Sequence, residues 1–199
     1  MKLGEIKVQA LMMVFPSVTI EYDKDDLEEV IYRLKNNHSY SPYIFASVGA
    51  INRAFAIIES KLLTPCKRDF FDGEKKGSYT VIDLKEIKDI LSVKGVYLNG
   101  EAVGFHITSQ GTIKVKGRGK IEIEYYVKQE KITHLTSNNK KIELGGIEEA
   151  IPYFVKSDLL MGEDNEASLA ARDMFYGMIK GYEGCEPSHL DVVYSLGRI

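Results

Sequence analysis

The spacing of apolar residues along this chain of 199 residues switches twice, from a helical period to strict alternation and back again. Elements of one kind therefore come in runs, which points to an α+β fold and away from the strand-helix alternation that builds a parallel sheet. The expected architecture is a helical layer contributed by both chain ends, with an antiparallel β-sheet or sandwich module inserted between them. The parts are residues 1–64 (helical), 65–145 (β-rich), 146–184 (helical, completing the first) and 185–199 (an apolar tail).

In the first part Asp23 is read as a helix N-cap, with Asp25 and Asp26 in the first turn, where carboxylates meet the positive end of the helix dipole. Leu27, Val30, Ile31 and Leu34 then form one face. Ser41-Pro42 starts the next helix, whose stripe of Val48, Ile51, Phe55, Ile58 and Leu62 runs on until Thr64-Pro65 stops it.

From Cys66 onward the period is two, with turn signals every eight to twelve residues. Ile113 and Val115 alternate with Lys114 and Lys116, and Ile121, Ile123 and Tyr125 alternate with Glu122 and Glu124. Face matching predicts a hairpin over 112–127 in which Val115 faces Ile121, Lys114 pairs with Glu122 and Gly119 supplies a left-handed residue. Asn99-Gly100 marks a tight turn, Gln110-Gly111 leads into Thr112, and the pieces chain into a meander. A short helix is expected over 84–91, and a further hairpin joins 131–136 to 140–144.

After Gly145-Gly146 the helical period returns. Pro152 either kinks one helix or sits in the first turn of a new one running to about Met161. In the last helix Ala167, Ala170, Ala171, Met174, Phe175 and Met178 are read as one face. The tail that follows carries Leu190, Val192, Val193, Tyr194, Leu196 and Ile199. It is too apolar to be left in water and must dock on its own domain or on a neighbour.

Composition is that of an ordinary globular protein, 44% hydrophobic and 28% charged, and a chain of this size buries roughly 70% of its unfolded surface. Cys66 and Cys185 belong to no Cys/His cluster, so a reducing compartment is expected, without zinc site or disulfide framework. No run reaches the roughly 18 apolar residues of a membrane span, and the charged opening is unlike a signal peptide.

Net charge is uneven. Residues 1–63 hold 7 basic and 8 acidic side chains, 64–145 hold 15 and 11, and 146–199 hold 4 and 10, giving −1, +4 and −6. The basic centre includes Lys114, Lys116, Arg118 and Lys120, a cationic hairpin end that offers a contact for a polyanion or an acidic protein surface.

No catalytic, cofactor or metal constellation stands out. Ser188-His189-Leu190-Asp191 holds the residue types of a hydrolase triad, but triads converge in space, and adjacency is no signature of one. His38, His106 and His134 are dispersed, without the i, i+4 pairing of a metal site, and Gly117-Arg118-Gly119 lacks the strand-to-helix setting of a phosphate loop. The chain is therefore expected to be no enzyme and to need no cofactor. Twelve tyrosines serve either as half-buried core or as adhesive surface.

Two stretches carry a family likeness. Ile51-Asn52-Arg53-Ala54 followed by Ile58-Glu59 is one. The other is Ile151-Pro152-Tyr153-Phe154-Val155-Lys156-Ser157-Asp158-Leu159-Leu160, then Glu163-Asp164, then Ala167 to Tyr176. With the order of elements, they resemble the head-to-tail connectors of tailed bacteriophages, the adaptor or neck subunits similar to tail tubular protein A. The resemblance covers about a quarter of the chain and supplies no catalytic residues.

It implies a virion structural protein, a cyclic homo-oligomer of roughly twelve-fold symmetry that joins portal and tail proteins. Such a subunit is assembled in the host bacterial cytoplasm, bears no relation to a membrane and lies near packaged DNA. The alternative is a nucleic-acid-binding module that uses the basic hairpin.

Overall fold

A computed structural model describes residues 1–61 and 63–183, and the expected apolar tail of 185–199 lies outside them. The fold is α+β, with five α-helices and two antiparallel sheets. The described residues form two compact units, 1–65 with the chain from Gln129 onward, and Cys66–Lys128.

The helical unit comprises α1 (Leu3–Val14), α2 (Leu27–Lys35), α3 (Ser41–Ser60), α4 (Ile151–Leu160) and α5 (Asn165–Glu183). α4 lies at its centre, packed on α1, α3 and α5. Its first turn accepts Pro152, whose missing N–H would have had no partner there, and a 3-10 turn over Ile147–Ala150 leads in. The core gathers Leu3, Ile6, Ile51, Phe55, Phe154 and Phe175, with the Phe154 and Phe175 rings 4.9 Å apart. A smaller core of Val8, Leu11, Val30, Ile31, Leu34 and Ile44 joins α1 to α2 and α3.

Several expectations shift here. α2 begins at Leu27 after Asp26, without a side-chain cap, while Asp23 Oδ1 accepts from the Asp25 amide in the turn before it. α3 is long and apolar enough to cross a bilayer, contrary to the reading of the sequence. Eight of its residues are nonetheless buried in the unit.

The segment after Gln129, expected to close the β insertion with a hairpin, belongs to the helical unit and forms no hairpin; Lys141 makes an isolated antiparallel bridge with Lys2. Ile132, Ile142 and Leu144 instead fill the helical core. On α5 the buried side chains are Ser168, Ala171, Phe175 and Ile179, whereas Ala170 and Met174 are exposed, so the expected face is rotated.

The β unit is a sandwich. One sheet is ordered β1 (Cys66–Phe71), β8 (Ile121–Val127), β4 (Ile90–Leu98) and β5 (Glu101–Ala102). The other is ordered β2 (Glu74–Lys76), β3 (Tyr79–Asp83), β7 (Thr112–Lys116) and β6 (Phe105–Ile107). Ile82, Ile113 and Val115 from the second sheet meet Val93, Val96, Ile121 and Ile123 from the first in one core.

The hairpin expected over 112–127 is overturned, because β7 pairs with β3 and β6 while β8 pairs with β1 and β4. Alternation records which face of a strand is buried. In a sandwich, two consecutive strands can bury that face against the same core from opposite sheets. The connection is an arch stitched to both: the Gly117 amide donates to the Ser78 carbonyl (2.9 Å), and Lys120 exchanges backbone and side-chain hydrogen bonds with Asn99.

Gly117 supplies the positive φ, at 121°, and Gly119 serves to clear Asn99, whose amide oxygen would lie 2.3 Å from an added Cβ. The Asn99-Gly100 turn forms as expected, with both residues at positive φ. β4 pairs with β5 and β6 with β7 around Gln110-Gly111, but the expected meander is broken between them, because the chain crosses from one sheet to the other between Ala102 and Phe105. The helix expected over 84–91 is a single 3-10 turn, Leu84–Glu86, before β4 begins.

Candidate functional site

Residues opposite one another in an antiparallel pair share a face, so strand register fixes what each sheet shows to solvent. On the β1-β8-β4-β5 sheet, Glu122, Glu124 and Tyr126 point away from the core, beside Arg68 on β1 and Tyr97 on β4. The Arg68 guanidinium pairs with Glu122 and lies 3.8 Å from the centroid of the Tyr97 ring.

The Tyr97 hydroxyl donates to Glu124 (2.9 Å), a bond that raises its phenol above the ordinary value, assisted by burial. Lys94 also pairs with Glu124 (3.4 Å). Lys120 sits over the Phe70 ring, 3.5 Å from its centroid. The ionic groups on this face are largely matched.

The opposite sheet differs. Its outer face carries the row Lys76, Tyr79 and Lys116 across β2, β3 and β7, and beside it the row Glu74, Val81, Lys114 and His106. Lys114 and Lys116, two residues apart on one strand, stand about 6.8 Å from one another. Neither has an acidic partner among the described residues. Lys76 pairs with Glu74 at 3.0 Å, and Asp83 lies at the far end opposite Thr112.

Arg118 reaches back from the arch to donate to the Gly77 carbonyl (3.2 Å), which holds its guanidinium beside the β2–β3 turn. Tyr79, 46% exposed, thus has Lys76 and Lys116 as its cross-strand neighbours, with Arg118 anchored at the turn two residues before it.

The four cations singled out in the sequence are therefore divided. Lys114, Lys116 and Arg118 serve one sheet, and Lys120 is committed to Phe70 on the other. Lys76 and Tyr79 were missed, although Gly77-Ser78 between alternating strands is a two-residue hairpin signal that would have set them opposite one another; the pairing of Tyr79 with Lys116 is non-local and has no such signal.

In the helical unit the surface of α5 draws notice. Outside its buried stripe, on either flank, it leaves Leu169 60%, Met174 52% and Tyr176 41% exposed. Leu169 and Tyr176, seven residues apart, lie on one side, and Met174 lies roughly 140° round the helix from Leu169. The start of the helix is acidic, with Glu163, Asp164 and Glu166.

The polar residues of the two family-like stretches act as clamps. Asn52 brackets the backbone of Ile132, Arg53 forms a two-pronged pair with Asp158, and Glu59 accepts from the Gln129 amide (2.6 Å). Ser168 donates to the Ser157 carbonyl (2.7 Å) and ties α5 to α4.

The histidines remain scattered: His106 is on the basic sheet face, His134 packs its ring on Phe45, and His189 lies outside the described residues. Among the described residues no group of three or more His, Cys, Asp or Glu side chains is placed to hold a metal. An open depression between Glu21, Asp23, Lys24 and Arg33 carries charges of both signs without a buried acid or base at its floor. A scan against protein-family models finds no match, and a search of curated proteins finds none either.

Proposed function

We propose that this chain is a structural subunit that closes into a ring, a head-to-tail connector of a tailed bacteriophage standing between portal and tail proteins. The observation that carries the reading is the surface of α5. A helix that buries Ala171, Phe175 and Ile179 in its own unit and still exposes Leu169, Met174 and Tyr176 is apolar on more than one side. Such a helix is stabilised when a neighbour covers what its own unit leaves in water, at roughly 25 cal/mol for each Å² of apolar surface removed.

A surface of one copy meeting a different surface of the next is a heterologous contact, and repetition by a fixed rotation closes it into a ring. The acidic opening of α5 beside Leu169 adds charge to that contact and favours a basic partner. The Arg53–Asp158 pair, which joins α3 to α4, and the Ser168 bond to the Ser157 carbonyl, which ties α5 to α4, support the reading by holding α5 in place within its unit.

The test is mass in solution. Native mass spectrometry or sedimentation over increasing concentration, alone and with the portal and tail proteins of the same virion, should give a multiple of the 22.4 kDa subunit or a complex. Leu169→Glu with Tyr176→Glu should reduce it to single copies of unchanged helix content. A protein that stays monomeric and binds neither virion component sinks the proposal.

A further inference from the structure

We infer that the outer face of the β2-β3-β7-β6 sheet binds the phosphodiester backbone of nucleic acid, at the corner formed by Lys116, Arg118 and Lys76 around Tyr79, with Lys114 beside it. Three features of the corner converge on that ligand. The first is uncompensated charge: Lys114 and Lys116 face solvent without an acidic partner among the described residues, on a molecule whose formal net charge is −3. Cations crowded on one face repel each other, and a line of phosphates relieves the repulsion while releasing its own counterions.

The second is spacing. Strand geometry sets Lys114 and Lys116 about 6.8 Å apart along β7, and neighbouring strands place Lys76 and Lys116 on either side of Tyr79, each about 5 Å away at Cβ. These are separations at which one extended strand of phosphates can be followed.

The third is Tyr79 itself. A half-exposed aromatic ring set among cations on a flat sheet offers a surface on which a base or sugar can lie. The opposite sheet is the internal comparison. There Arg68, Lys94 and Lys120 are each engaged by a carboxylate or an aromatic ring of their own sheet, whereas on the basic face, among the described residues, Lys76 alone has a carboxylate, that of Glu74. Basic composition alone does not distinguish the two faces; the distribution of acids does.

Arg118 sharpens the contrast. Its bond to the Gly77 carbonyl uses one N–H of the guanidinium and holds the rest at the β2–β3 turn, two residues before Tyr79. The inference rests on the β unit alone and is independent of ring formation.

The experiment uses the full chain with fluorescein-labelled DNA, duplex and single strand in separate arms, and fluorescence anisotropy from about 50 to 200 mM salt, the range over which binding to phosphates weakens most steeply. Binding that weakens with salt is expected. Lys114→Gln, Lys116→Gln and Arg118→Gln together should flatten the slope of log K against log salt by about 2 to 3 on duplex, close to 0.9 for each phosphate no longer neutralised. The matched control, Lys67→Gln with Lys85→Gln and Lys88→Gln, removes the same charge elsewhere on the unit and should leave most of the slope in place.

Tyr79→Ala distinguishes the two sources of phosphate. An affinity loss of about fivefold or more confined to single strands assigns a stacked base, and unchanged binding in both arms assigns phosphate alone. No binding at 50 mM salt, a slope untouched by the first triple variant, or an equal fall with the control overturns the inference.

Discussion

Asn52 and Ile132 exchange two hydrogen bonds: the Asn52 side-chain amide donates to the Ile132 carbonyl (2.8 Å), and its oxygen accepts from the Ile132 amide (3.0 Å). One side chain on α3 thereby serves as the strand partner that residues 131–136 lack. Ile132, only 1% exposed, is held in the helical core by it.

Asn52→Leu keeps the volume and leaves both backbone groups without a partner, since the surrounding core admits little water. A loss of about 2 kcal/mol is expected in urea unfolding, because a stranded buried polar group costs its full desolvation. A change under half that value would mean that Ile132 finds other partners.

Two glycines in helices should respond to alanine in opposite directions. At Gly4 an added Cβ would lie 2.9 Å from the Leu27 Cβ and 3.2 Å from that of Asn138, where α1, α2 and the 137–139 loop meet. Gly4→Ala should cost about 1 to 3 kcal/mol through overpacking. At Gly177 on α5 nothing lies within 4 Å, and alanine should add roughly 0.5 to 1 kcal/mol through helix propensity. Chemical denaturation of the two variants beside the parent checks both signs.

Lys7, 2% exposed, donates to Asn138 Oδ1 (2.8 Å), and burial, with Lys35 nearby, lowers its ammonium from 10.5 to about 8. Between these values the unfolded chain holds a proton that the folded chain has released. Stability should therefore rise with pH from about 8 to 10.5, by a total on the order of 3 kcal/mol. Lys7→Met should remove that rise, read as unfolding midpoints across the pH series.

Tyr125 behaves in the opposite sense. Burial first, and then its bond to Asp69 (2.8 Å), push the phenol from 10.0 up to about 12. The folded chain keeps a proton that the unfolded chain loses, so this contribution is intact below pH 10 and disappears as pH climbs toward 12. Phenolate absorbance should show a late tyrosine that Tyr125→Phe abolishes.

What could be read from the sequence was local. The stripes of Leu27, Val30, Ile31 and Leu34, and of Val48, Ile51, Phe55 and Ile58, specify helices because only a 3.6-residue period brings them to one side. Asn99-Gly100 specifies its turn because both positions need positive φ. Lys114 and Lys116 were correctly placed facing solvent by the alternation of β7.

What escaped was the choice of partner beyond the tight turns. Glu28 illustrates it: burial pushes its carboxyl up, yet bonds from Ser137, Asn138 and Asn139, more than a hundred residues away, outweigh that and hold it below its ordinary value. No pattern within α2 announces them.

The sequence by itself determined that the outer parts are helical and the centre alternates, and which side of α2, α3 and β7 is apolar, since those follow from side-chain direction along a single segment. Only the tertiary structure decided that Val115 and Ile121 belong to facing sheets, that Lys120 leaves its basic neighbours for Phe70, and that 129–145 completes the helical core. Apolar burial is non-directional. A buried face is satisfied by any apolar surface of matching shape, so the choice among candidate surfaces falls to packing, clamps such as Asn52, and the reach of each connection.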